Sequence, residues 1–287
     1  DIDHRSTPAQ WMIGADCPNR PRAEIAKYLV ERGASADIFL TAALGLADRA
    51  RRLLDTNPSL LSLRTSQGDY GEKPPSSYHI YQWTIGPNVT PLQTATHFGQ
   101  RETLEVMRGY ASPEQRLLLA YHEGDSDEAH AIVRSHVGIL GRLNQADPRA
   151  LADEAWMGNA PAVELMLELG FDPAATGVDG GTALHCAAWQ GSVACVRALL
   201  RYSAGRSLVD ARDTNHNGTP LGWCCHGSLN CGHPRADHAE VAPLPQESGA
   251  ALPAARAQAS SAVDAVPRAA AQARAALDLV AGRRLAP

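Results

Sequence analysis

The chain has 287 residues, with 26 Lys and Arg against 31 Asp and Glu, a net charge of −5 and a pI near 6.1. No block of Lys or Arg occurs, so a nucleic-acid footprint is unsupported. No 18-residue apolar run or basic-plus-apolar leader occurs, so membrane insertion is unsupported as well. Six Cys make no disulfide framework in so long a chain, and buried thiols in a reducing, cytoplasmic setting are expected.

In chain order, one helix–loop–helix pattern recurs. Residues 1–36 start with Thr7-Pro8-Ala9, carry a short insertion around Asp16-Cys17-Pro18, and end on an amphipathic run closed by Gly33-Ala34. Residues 37–66 hold Ala42-Ala43-Leu44-Gly45 and Leu53-Leu54, and Asn57-Pro58 stops the second helix. Residues 67–87 break the period as an elongated finger loop containing Tyr70, Tyr78, Tyr81 and Trp83. Its aromatic residues either fold the loop onto the scaffold or contact a partner.

Residues 88–112 restart with Thr90-Pro91-Leu92-Gln93-Thr94-Ala95. Residues 113–147 lack the Thr-Pro-Leu start but keep Leu117-Leu118-Leu119-Ala120. Residues 148–178 hold Ala155-Trp156-Met157-Gly158, with Gly170 closing the second helix. The clearest copy is Thr182-Ala183-Leu184-His185-Cys186-Ala187-Ala188-Trp189-Gln190-Gly191, in which Thr182 is expected as an N-cap and Gly191 as a left-handed stop. Thr219-Pro220-Leu221 opens the next copy, 37 residues after Thr182. Nine residues separate Gly45 from Leu54, Gly124 from Val133, Gly158 from Leu167 and Gly191 from Leu200. Gly99 and Arg108 keep the same spacing, with Met107 in the apolar place.

From Pro243 the pattern fails. Pro243 and Pro245 fall where a helix belongs, and 243–287 is rich in Ala with no aromatic residue. The expected division is a repeat domain over 1–242, with about seven repeats of which the first and last are incomplete, and a poorly packed or disordered tail over 243–287. That tail reads as foreign to the repeats, as a shifted reading frame would produce, with helix over 268–282 from Ala alone. Residues 1–8 align without a gap with 213–220, so the chain is expected to open mid-repeat and to expose an apolar face on its first repeat.

A module this small needs copies of itself on either side. The block Thr182-Ala183-Leu184-His185-Cys186-Ala187 resembles the ankyrin-repeat signature Thr-Pro-Leu-His-x-Ala, with Ala in the Pro place. The Ile80–Gly86 segment and the Thr219–Ser228 block resemble a group of bacterial ankyrin-repeat proteins over about 1–242, a likeness that brings a fold and no activity. The resemblance implies an all-α solenoid of stacked antiparallel helix pairs with short hairpin fingers. It implies that His185 bonds the backbone of the next repeat. It also puts the two residues before each Gly stop on a concave, partner-contacting face. These are His97 and Phe98, His122 and Glu123, Trp156 and Met157, and Trp189 and Gln190, with His226 added by a shifted register. Tyr78 and Tyr81 of the finger loop join them as partner-contact candidates.

Other patterns compete poorly. Asp213-x-Asn215-x-Asn217-Gly218 opens like a calcium loop, but Cys224 stands where the bidentate Glu belongs. Cys224, Cys231, His233 and His238 are the metal-ligand candidates, but their spacing is irregular, and Cys224 and Cys225 occupy core-facing Ala positions of the repeat. Asn88-Val89-Thr90 and Asn217-Gly218-Thr219 are glycosylation sequons only in a secreted chain, and both Thr read as helix starts. No nucleophile–base pair, phosphate loop or dinucleotide fingerprint occurs. The expectation is a monomeric scaffold without catalysis or cofactor that binds another protein. The alternatives are a metal-binding or catalytic protein using 224–238, or a regulatory module of a larger protein.

Overall fold

The computed structural model describes residues 6–14, 22–70, 80–231 and 236–248. The chain divides at 123/124 into two compact units. Among the described residues both units are helical, and the extended structure is limited to isolated bridges such as Thr176 with Thr182.

In the first unit the helices are α1 (Pro8–Trp11), α2 (Ala23–Glu31), α3 (Ile38–Leu44), α4 (Ala47–Thr56), α5 (Tyr81–Thr84), α6 (Pro91–His97), α7 (Arg101–Arg108) and α8 (Pro113–Glu123). α3 packs on α4 and α6 on α7, while α6 stacks on α3 and α7 on α4. Two antiparallel pairs thus lie side by side, as the period requires. Ile38, Phe39, Leu40, Leu44, Leu54, Leu92 and Met107 form the core between them. Trp11, Ile25 and Tyr28 of the first repeat stay 42%, 45% and 51% exposed.

The second unit contains α9 (Ser126–Ser135), α10 (Ile139–Ala146), α11 (Ala150–Trp156), α12 (Ala160–Glu168), α13 (Ala183–Trp189), α14 (Val193–Arg201), α15 (Ser203–Arg206), α16 (Pro220–Asn230), α17 (His238–Val241) and α18 (Pro243–Glu247). α11, α13 and α16 form one row, and α12, α14 and α17 form the other.

The starts and stops follow the sequence. Thr7, Thr90 and Thr219 cap α1, α6 and α16, each followed by Pro at the first helical position. Thr7 and Thr90 close reciprocal boxes with Gln10 and Gln93. Gly45, Gly99, Gly124, Gly158 and Gly191 all adopt the left-handed conformation, with φ from 62° to 72°.

Four features go beyond the sequence pattern. Residues 113–123 do have a cap: Ser112 and Gln115 exchange backbone-to-side-chain bonds at 2.9 and 3.3 Å, a serine version of the same box. An extra helix, α10, buries Ile139 and Leu143. Gly227 is not a stop. α16 runs through it to Asn230, and the missing Cβ lets the Trp189 carbonyl oxygen approach, since a Cβ there would lie 2.2 Å from it. The packed chain also passes the 242/243 boundary, as α18 lies against α14 and α17 with Pro243 starting a new helical turn rather than interrupting one. The first five residues of the 1–8 alignment, the 15–21 insertion and 249–287 lie outside the described residues.

Candidate protein-binding face

In the second unit the candidate residues of three successive inner helices come together. α11 ends on Trp156 and α13 on Trp189, each followed by a capping residue and a left-handed Gly. The two indoles stack with centroids 6.1 Å apart and planes 17° from parallel. His226 of α16 stacks on Trp189 at 5.1 Å and 28°. The three rings form one column across three repeats. Trp156, Trp189 and Gln190 are half-buried, while Met157 and His226 are exposed.

The column is held from below by a buried polar network. Thr182 donates its backbone N–H to His185 Nδ1 at 3.1 Å, and its hydroxyl lies 2.9 Å from the same nitrogen. Nδ1 therefore accepts, Nε2 carries the hydrogen, and it donates to the Gly218 carbonyl at 3.2 Å. This is the inter-repeat bond that the resemblance implies for His185. Thr182 thus caps α13, closing a reciprocal box with His185. Burial pushes the His185 pKa below its usual value, opposed by the Gly218 carbonyl and the Asp213 carboxylate.

Asp213 accepts from the amides of Asn215, His216 and Gly218 and from Trp223 Nε1, the last at 2.9 Å. Burial raises its pKa, but the hydrogen bonds outweigh this and hold the carboxyl below the ordinary range. All these donors come from its own loop and from α16, so the calcium-like spacing is a turn organised around one carboxylate. Trp223 in turn meets His185 and Trp189 edge-on, at 5.3 and 6.1 Å. Trp223 and Asp213 had no place among the candidate contacts. The signal was the Asp placed before a Gly-Thr-Pro start, since such a residue can gather the free amides of a tight turn.

His238 donates Nε2–H to the Trp189 carbonyl at 2.8 Å, and the Cys224 thiol points at the His238 carbonyl at 3.7 Å. These two metal candidates are thus engaged with backbone. His233 lies outside the described residues, and among those described no three ligating side chains come together.

The first unit treats its candidates differently. His97 is exposed and meets Phe98 edge-on at 5.1 Å. His122 is half-buried, and Glu123 is tied to Arg108 and to the Thr96 hydroxyl. Tyr81 is corrected as a contact residue. It is fully buried, donates to Asp37 at 2.7 Å and packs with Phe39 and Tyr70. The flanks of the finger loop therefore fold inward because their rings can fill the core over α3. Tyr78 lies outside the described residues.

Among the described residues no helix is long and apolar enough to cross a membrane. Residues 151–233 match the family described as ankyrin repeats (3 copies). No curated protein matches the sequence. Among solved structures, the chain is similar to the ankyrin repeat domain of Bcl-3, described as a unique member of the IkappaB protein family. The identity is 17%, the TM-score 0.36, and the match covers 84% of this chain and 98% of that one. It is also similar to the human ASB11 ankyrin repeat domain, at 18% identity and a TM-score of 0.37, covering 86% of this chain and 100% of that one. With its Gly-stopped helix pairs and the family match over α11 to α16, the chain carries ankyrin repeats.

Proposed function

We propose that this chain binds a protein partner, as ankyrin repeats generally do, through the inner-helix face of its second unit. On this reading Trp156, Met157, Trp189, Gln190 and His226 meet the partner, while the first unit carries its own candidates, His97, Phe98, His122 and Glu123. The observation that carries the reading is the column Trp156–Trp189–His226. Large aromatic side chains at the end of each inner helix, left partly open to solvent, are what interface anchors need: much area and few rotors to freeze.

The mechanism is rigid presentation. Within the second unit the buried bond of His185 to Gly218 ties one repeat to the next, so the partner meets a preformed surface there and little ordering cost falls on this side. No bond is made or broken, no cofactor is required, and the chain acts as a monomer in a reducing compartment. The test is recovery of partners by wild type and by Trp156→Ala with Trp189→Ala. The expected result is loss of the specific partner from the double variant. Equal recovery by both forms overturns the assignment of this face.

A further inference from the structure

Trp189 is stacked on both sides. Trp156 comes from α11 at 6.1 Å and 17°, His226 from α16 at 5.1 Å and 28°, and α13 packs between those two helices. These two near-parallel neighbours, one from each adjoining helix, crowd both sides of the Trp189 ring and disfavour a guanidinium, a proline or another aromatic ring there. A partner that meets Trp189 meets the rim of its ring. An aromatic rim is the positive edge of the ring quadrupole, and an indole N–H is a donor only.

The hydrogen-bond inventory points the same way. Trp223 spends its N–H on Asp213. Trp156 and Trp189 have no such partner among the described residues, and neither N–H is sealed from solvent. The Gln190 carboxamide, half-buried beside Trp189, also has no partner among the described residues. It offers donors and an acceptor in one plane, the complement of a peptide group.

We infer that the column docks an extended peptide segment of the partner, with that segment's backbone carbonyls on the two indole N–H groups and one of its peptide units on the Gln190 carboxamide. This rests on the protein-binding reading above. Carbonyls on one side of an extended strand recur every second residue, about 6.6 Å apart, close to the 6.1 Å between the two indoles. Met157, 37% exposed, supplies an adaptable apolar contact at the end of the row. An Arg-rich segment would need the Trp189 ring faces, which Trp156 and His226 crowd. A carboxylate-rich segment would leave the Gln190 acceptor unused and would meet a chain of net charge −5.

The experiment screens a bead-bound library of random decapeptides against the full chain and measures the retained peptides on three variants. Trp156→Phe and Trp189→Phe keep the stack and remove one N–H each, and Gln190→Met removes the amide at similar volume. Retained peptides are expected to share no charge pattern and to bind each variant about fivefold more weakly, the worth of one neutral hydrogen bond. A calorimetric midpoint equal to wild type shows that a variant has kept its fold, and Gln190→Met, half-exposed, keeps the test open if an indole variant does not. Retention of Arg-rich or aromatic peptides that bind the variants equally, or retention of none, overturns the inference. If Trp156→Ala with Trp189→Ala loses the natural partner while the library result is negative, only this inference falls. If that double variant keeps the partner, the reading beneath it falls too.

Discussion

His185 gives its Nε2 hydrogen to the carbonyl of Gly218, 33 residues further along the chain and one repeat away, at 3.2 Å. The bond needs the neutral ring, because Nδ1 must accept from Thr182. Burial holds the His185 pKa below its ordinary 6.5. Below that value the unfolded chain binds a proton that the folded chain refuses, so stability is full above it and falls as the pH drops. Melting at about pH 5.5 is expected below melting at about pH 7.5. Gln fills this position in the other boxes, as Gln10 and Gln93. His185→Gln should therefore keep the cap and flatten the difference between the two pH values. An unchanged pH difference would remove His185 as its source.

Asp213 gathers three amides and one indole N–H. Asp213→Asn leaves one acceptor oxygen and turns a new donor towards existing donors. A loss of about 2–4 kcal/mol is expected, read as a lower urea midpoint, since bonds to a charged group and stranded buried donors both count. A change within about 0.5 kcal/mol would contradict the hub role.

Two Gly→Ala changes separate crowding from backbone strain. Gly227 is helical, and a Cβ there lies 2.2 Å from the Trp189 carbonyl. Gly170 has φ 95° and nothing within 4 Å of a Cβ. Gly227→Ala is expected to cost about 3 kcal/mol by forcing α16 off α13. Gly170→Ala should cost about 1–2 kcal/mol from its left-handed backbone alone. Denaturant titration of both variants gives the order.

Ser112→Ala opens the box at the start of α8. The expected cost is about 1 kcal/mol in the same titration, because both of its bonds with Gln115 are of ordinary length.

Burial pushes the Cys195 thiol up to about 11 and that of Cys224 to about 12. Neither forms thiolate at neutral pH, so alkylation at about pH 8 should spare both in the folded chain and reach them only after denaturant is added. Mass spectrometry of labelled peptides reads the result.

Much of the fold was legible because its signals are local. Thr-Pro starts and Gly stops act within one turn, and nine-residue spacing repeats them. Residues 112–115 hid because Ser replaces Thr, although Ser-x-x-Gln is itself a box. α10 escaped because only Ile139 and Leu143 mark its face. Gly227 shows that a Gly can serve close approach as well as a left-handed turn, and only the Trp189 carbonyl distinguishes the two. Tyr81 misled because loop position suggests exposure, but a phenol beside a capping Asp37 can satisfy its hydroxyl indoors. In the candidate face, the clustering of aromatic residues came from the register. That they stack on one another, and so present rims, depends on helix spacing that no single repeat encodes.

The stack of Trp156 on Trp189 has an optical consequence. Two indoles a few ångströms apart share their electronic excitation, so their combined spectrum depends on the distance between repeats five and six. Any event that parts those repeats, whether a wedge, a pull on the chain ends or local melting, changes a signal that the protein emits without a label.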